Sequence, residues 1–363
     1  MPSLRLRLGL LVLSVFLLAA VLIGRAAQRD SSLSGCGRRG GSDIGIAGDA
    51  DVLGYDEPTL DRYMSEVSAS GASWFRVGID WSLAEPEQGG FDWSRSDRLF
   101  NAAVRHGLHP LVLLTYSPAW ARAGGVEVGN DHGYPADPRT FGDFASAAAS
   151  RYSTHAQAWE IWNEPNLVQF FAPAPDVAVY GSLLRSAYEA IHAVQPNATV
   201  ISGGLAPAGD TQSNIAPVTF VDQLYRLGAN RYLDAIGMHP YTYPALPTDP
   251  ASVSYNAFQR MQLMRTRMVD GGDAAKAIWI TEFGAPTTGS APGVSEKAQA
   301  DTLTEGIRLA RQFSFVAKVF VYTLLDRGRD PTDVEQHFGL LRTDRTPKPA
   351  YLALQQITRQ SCD

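Results

Sequence analysis

Two glutamates stand where apolar runs give way to loops. Ala158-Trp159-Glu160-Ile161-Trp162 leads into Asn163-Glu164-Pro165-Asn166, and Ile278-Trp279-Ile280 leads into Thr281-Glu282-Phe283-Gly284. Two carboxylates brought face to face are the minimum equipment for glycoside hydrolysis. One is held protonated to assist the leaving oxygen, and the other is ionised to attack or to activate water. Their surroundings must differ, with one carboxyl less solvated or more crowded by like charge. Glu160 lies in phase with Glu164 and reads as a buried structural acid paired with a base. Arg76 shares the phase of Asp80 on another apolar run, and period-2 alternation aims both at one face.

Other chemistries are poorly supplied. The 363-residue chain carries 31 Lys and Arg against 37 Asp and Glu, with no basic tract longer than a pair, which argues against nucleic acid as a partner. Four lysines occur, none in a Gly-x-x-x-x-Gly-Lys frame, so a P-loop is excluded. Cys36 and Cys362 cannot build a four-thiolate zinc site or a Cys-x-x-Cys pair. His106 and His109 have a metal-like spacing but straddle a helix-to-strand turn with no third ligand nearby, so no metal is assigned. No cofactor is called for. Trp81, Trp93 and Trp120 fall near strand ends, where they either stack on sugar faces or anchor loops. Trp74, Trp159 and Trp279 are expected to pack between strands and helices.

These residues need a scaffold. From Ser42 onward, strand-like runs alternate with amphipathic stretches about eight times. Strands are expected at Asp43–Ala47, Trp74–Asp80, His109–Tyr116, Gln157–Asn163, Thr199–Leu205, Asp234–His239, Ala277–Phe283 and Lys318–Leu324. Helices are expected at Pro58–Ser70, Arg95–Arg105, Thr140–Ser153, Val177–Val194, Val218–Leu227, Tyr255–Val269, Ser295–Gln312 and Pro349–Arg359. Eight such units imply parallel pairing and an α/β (β/α)8 TIM barrel, in which reacting groups sit at the C-terminal ends of strands. With 45% hydrophobic residues the chain can bury a sizeable core.

Arg5 and Arg7 precede an uncharged apolar run, Leu8–Gly24, followed by Arg25, Arg29 and Asp30. Residues 1–27 read as a signal peptide or an uncleaved membrane anchor, 28–41 as a flexible tether and 42–363 as one catalytic domain. The run sits at the lower edge of what spans a bilayer, roughly 17–25 residues. Export is expected, to the cell envelope or outside, with membrane contact only through this segment. In an oxidising compartment Cys36 and Cys362, near the two ends of a closed barrel, form either a disulfide clip or two free thiols.

Trp162-Asn163-Glu164-Pro165 and Thr281-Glu282-Phe283-Gly284 resemble the two signatures of clan A retaining glycoside hydrolases, and the chain is most similar to families 5 and 39. The Trp81–Trp93 stretch resembles that clan's loop after strand two, and His239-Pro240-Tyr241 its strand-six motif. Phe338-Gly339-Leu340 through Tyr351 resembles the close of such domains. The likeness covers essentially everything after the targeting segment. It implies a (β/α)8 glycosidase of a poly- or oligosaccharide, expected to be monomeric. Glu164 would be the acid/base and Glu282 the nucleophile. Asn163 would bond the sugar 2-hydroxyl, Arg76 would face Glu282, Tyr241 would donate to it and His239 would line the pocket. Trp81 and Trp120 would add sugar contacts. Double displacement predicts carboxyl groups about 5–5.5 Å apart. The chain departs from the pattern at the end of strand eight, Val321-Tyr322-Thr323-Leu324, where many clan members carry a sugar-platform Trp. A glucose-type specificity therefore does not carry over, and Tyr322 or a loop aromatic would serve instead. Two alternatives share the scaffold: a transglycosylase, and a catalytically weak carbohydrate-binding barrel.

Overall fold

The computed structural model describes residues 43–127, 130–288 and 291–360. The stretches read as signal or anchor (1–27) and as tether (28–41), and both cysteines, lie outside the described residues. Eight strands form a closed barrel in chain order: β1 (Ile44–Ala47), β2 (Trp74–Asp80), β3 (His109–Thr115), β4 (Ala158–Ile161), β5 (Thr199–Ser202), β6 (Ala235–Met238), β7 (Ala277–Phe283) and β8 (Val316–Tyr322). All pairings are parallel, and β1 closes the ring by pairing with β8.

A helix follows each strand: α1 (Glu57–Ala69), α2 (Ser94–Arg105), α3 (Pro138–Arg151), α4 (Val177–Val194), α5 (Pro217–Arg226), α6 (Ala257–Asp270), α7 (Glu296–Gln312) and α8 (Pro349–Arg359). Their starts are chemically marked. The side chains of Asp56, Asp137, Asp176, Asn256 and Ser295 each accept a backbone N–H of the following turn, satisfying donors that the helix itself leaves open. Pro at the first or second position of α1, α3, α5 and α8 costs no helical hydrogen bond.

Alternation divides the side chains into two cores. Outward residues of the strands, with the inner helix faces, make the large one. Inward residues make a small one of Ala47, Leu111, Ala158, Ile201, Ala235, Trp279 and Phe320, with Trp74 packed against it. Trp159 faces the helices and donates to Gln195 Oε1 at 2.8 Å, as expected. Trp74 and Trp279 depart from the expectation. They share the inward phase and meet edge to face inside the barrel at 5.7 Å. Lys318 Nζ lies 4.2 Å from the Trp74 ring centroid and completes this aromatic plug.

Strand ends account for the boundary differences. β4 stops at Ile161, short of Asn163, because Trp162 turns into the left-handed region at φ 70°. β5 stops at Ser202, before Gly203-Gly204. β8 runs two residues earlier than expected at both ends, Val316 to Tyr322. Among the described residues no helix is long and apolar enough to cross a membrane.

Candidate active site

Arg76 is the hub. Inward phase on β2 buries its guanidinium in the barrel, where an unpaired charge would be costly, and every arm is used. Nε donates to Glu160 Oε2 at 2.5 Å, Nη1 to Glu282 Oε1 at 2.7 Å and Nη2 to Asn163 Oδ1 at 3.1 Å. Arg76 thus serves both readings at once, as partner of structural Glu160 and of Glu282. Fully buried Glu160 also accepts from the Gly204 N–H and the Thr281 hydroxyl, each at 2.9 Å.

The two candidate carboxylates reach the mouth through departures from regular strand geometry. Trp162 and Glu164 both have positive φ, 70° and 44°, so the chain after β4 turns sharply and presents Asn163 and Glu164 to the opening. On β7, Thr281 points inward, and regular alternation would send Glu282 outward. The β7–β8 register is irregular between Ile280 and Phe283, and this re-aims Glu282 into the same mouth. Tyr241 Oη donates to Glu282 Oε2 at 2.7 Å, so both carboxylate oxygens are held. One oxygen each of Glu164 and Glu282 and a ring nitrogen of His239 all lie within 4.8 Å of one another.

His239 links the two halves. Its Nδ1 is 2.8 Å from Glu164 Oε1 and its Nε2 is 3.1 Å from Thr281 Oγ1. Thr281 has one hydroxyl proton and gives it to Glu160, so its oxygen accepts from His239 Nε2–H. One mobile proton is then left between Nδ1 and the Glu164 carboxyl. The Nδ1–Glu164 contact is therefore where a proton can be held for general acid–base work.

The electrostatics favour an ionised Glu282. Burial alone would raise the Glu282 carboxyl, but His239, Arg76 and the Tyr241 hydroxyl outweigh it and hold it below the usual carboxylate range. Burial opposes charge on His239, yet Glu282 and Glu164 raise it above an ordinary imidazole. Burial and the Glu282 charge together push the Tyr241 hydroxyl far up, so it remains a donor.

Above these groups opens a cavity of about 540 Å³, lined by Arg76, Asn163, Glu164, Tyr241 and Glu282 among others. Tyr322 lines it too, its ring 5.2 Å from Phe338, in the place where the platform Trp was missed. Trp81 and Trp120, expected to touch sugar, are not among its lining residues. Asp80 caps the helical turn Trp81–Ala84, and that turn buries Trp81 against Phe144 at 5.3 Å. Trp81 Nε1 donates to buried Glu85 Oε2 at 2.6 Å, and Trp120 Nε1 donates to the Glu85 carbonyl at 3.0 Å. Both are loop anchors. Trp93, stacked on Phe91 at 5.0 Å, is another.

Sequence reasoning passed over Asp49, Tyr116, Tyr243, Arg327 and Glu335, all of which line the cavity. Asp49 could have been found: it lies two residues beyond β1, where the strand-end rule looks. Glu164, His239 and Glu282 also have the donor set of a cation site. Its chemistry fits poorly, because Arg76 already neutralises Glu282 and both Glu282 oxygens accept hydrogen bonds. No metal is assigned.

No family profile and no curated protein matches the sequence. Solved structures do. A family 39 glycoside hydrolase from the gut symbiont Bacteroides cellulosilyticus WH2 superposes with TM-score 0.69 at 24% identity, over 87% of this chain and 63% of that one. The chain has the same fold. A GH5_18 enzyme from Streptomyces cattleya, solved with Manb1-4GlcNAc, gives TM-score 0.69 at 19% identity, over 88% and 80%. A monomeric beta-xylosidase from Caulobacter crescentus gives 0.64 at 18%, over 87% and 67%. This chain therefore spans less than two thirds of the family 39 enzyme's length.

Proposed function

We propose that this protein is an exported retaining glycoside hydrolase acting on a poly- or oligosaccharide. The observation that carries the reading is the convergence of Glu164 and Glu282, an oxygen of each within 4.8 Å, at the C-terminal mouth of the barrel. Retaining enzymes hold their carboxyl groups about 5–5.5 Å apart, whereas inverting ones leave about 6.5–9.5 Å for a water. Glu282, kept ionised by Arg76 and Tyr241, attacks the anomeric carbon. Glu164, sharing its proton with His239, protonates the departing glycosidic oxygen. The glycosyl–Glu282 ester is then hydrolysed by a water that Glu164 deprotonates, so configuration at the anomeric carbon is kept. Asn163, fixed by Arg76 Nη2, presents its amide nitrogen toward the sugar 2-hydroxyl.

The glycosidase structures that share the fold support the class of chemistry. The run Leu8–Gly24 supports export, as signal or anchor, and so a glycan of the envelope or surroundings. A panel of 4-nitrophenyl β-glycosides with gluco, galacto, manno and xylo configuration tests the activity, with Glu282→Ala as control. Release that vanishes in the variant is expected. Release that persists in it would remove the assignment.

A further inference from the structure

The cavity is lopsided. Toward Glu164 its wall is aromatic, with Tyr116 and Phe170. Across from them, the β8–β1 wall carries carboxylates that the double displacement does not use, Asp49 and, at the exposed rim, Glu335, and Asp80 adds a third at the end of β2, in register with Thr115. Asp49 is only 6% exposed. Its Oδ1 caps the following turn by accepting the Asp51 N–H at 2.9 Å, and its Oδ2 takes no hydrogen bond from any described side chain. Asp80 commits Oδ1 to the N–H and hydroxyl of Ser82, at 2.8 and 2.6 Å. Glu335 receives only the Tyr322 hydroxyl, at 3.3 Å.

Both guanidiniums that line the cavity already face carboxylates. Arg76 is spent on Glu160, Glu282 and Asn163, and Arg327 Nε donates to Asp51 Oδ2 at 2.9 Å. Burial raises the carboxyls of Asp49, Asp80 and Glu335. Such groups bind hydroxyls and ammonium groups through charge-assisted hydrogen bonds, and they repel a carboxylate. The leaving group departs beside Glu164, so the wall reached across Glu282 belongs to the glycone.

We propose that Asp49, Asp80 and Glu335 form a charge-selective glycone subsite that takes neutral and amino-bearing sugars and excludes uronic acids. This rests on the glycosidase reading. The test measures kcat/KM on 4-nitrophenyl β-glucoside, β-galactoside, β-mannoside and β-xyloside, beside the β-glucuronide and β-galacturonide and the 2-amino counterparts. At least one neutral or amino glycoside is turned over, and each uronide runs slower than its parent hexoside by roughly 100-fold or more. Asp49→Asn and Glu335→Gln narrow that ratio about tenfold each, by removing one like charge. A structural role would lower both rates together and leave the ratio unchanged. Because Asp49 is buried, Glu335→Gln at the exposed rim supplies the same readout if Asp49→Asn does not fold. A uronide turned over within tenfold of its parent, or a ratio unmoved by both substitutions, overturns the subsite and leaves the glycosidase standing. Silence across every compound overturns the glycosidase reading, and the subsite with it.

Discussion

Glu282 keeps its charge where a buried carboxylate would ordinarily lose it, because two donors and a cation surround it. Removing one donor should therefore move the acid limb of the pH profile. Tyr241→Phe deletes the hydroxyl at 2.7 Å, lets the Glu282 carboxyl rise, and shifts the acidic limb of kcat/KM to higher pH. An unmoved limb would show that Tyr241 does not tune Glu282. Glu282→Ala should cost roughly 10⁴-fold or more in kcat. Glu164→Gln should cost roughly 10²–10⁴-fold, least with leaving groups that need no proton. A series of aryl glycosides graded by leaving-group pKa measures that difference. At this scale the positions of Glu164 and Glu282 were legible because a polar residue ending an apolar run declares its place, whereas Arg76 was placed by strand phase and Asn163, His239 and Tyr241 by the resemblance to clan A. For Trp81 and Trp120 the sequence left two readings open, sugar contact and loop anchor. Whether an aromatic at a strand end faces a sugar depends on the next turn of backbone, and here Asp80 caps a turn that folds Trp81 under.

The strands and helices were legible because two periods alternate along the chain and capping residues punctuate the helices. What the periods could not give is where regularity stops. Glu282 is a case in point: strict alternation would send it outward, and only the β7–β8 irregularity brings it in. Gly204, just past β5, shows how tightly the strand ends are fitted. A Cβ there would overlap the His239 ring and the Thr281 hydroxyl. Gly204→Ala should displace His239, disturb the proton shared with Glu164, and lower kcat more than it raises KM. Steady-state kinetics with a folded, monodisperse variant decide this, and unchanged kcat would contradict the packing argument. The Trp81–Glu85 anchor makes the opposite prediction. Trp81→Ala should cost about 3–5 kcal/mol in urea unfolding, by the cavity it leaves, while KM changes little in the folded protein. A large KM effect would return Trp81 to the sugar site.

The barrel is closed by contacts between residues far apart in sequence. Thr323 Oγ1 donates to the Ala47 carbonyl at 2.7 Å, and Tyr351 Oη on α8 donates to the Glu66 carbonyl on α1 at 2.9 Å. Leu354→Ala on the buried face of α8 should therefore cost about 2–5 kcal/mol of global stability, since closure is shared by every strand. The site leaves its own mark on stability against pH. The folded value of His239 lies above its ordinary 6.5, so its contribution is complete below that pH and is lost as pH rises through the folded value. The folded value of Glu282 lies below its ordinary 4.5, so its contribution is present above that pH and is lost as pH falls through the folded value. Their joint contribution is greatest between the two ordinary values, and denaturant titrations of wild type against Glu282→Ala across pH isolate it. The (β/α)8 architecture was readable from eight alternations, while the shape of the cavity was not, because its walls are loops without periodicity. Double displacement on Glu282 is tested most directly by the anomeric configuration of the first-formed sugar, followed by ¹H NMR in the opening minutes of turnover of a reactive β-glycoside. The β-anomer appearing first and then mutarotating is the predicted result, and an α-anomer appearing first would contradict it.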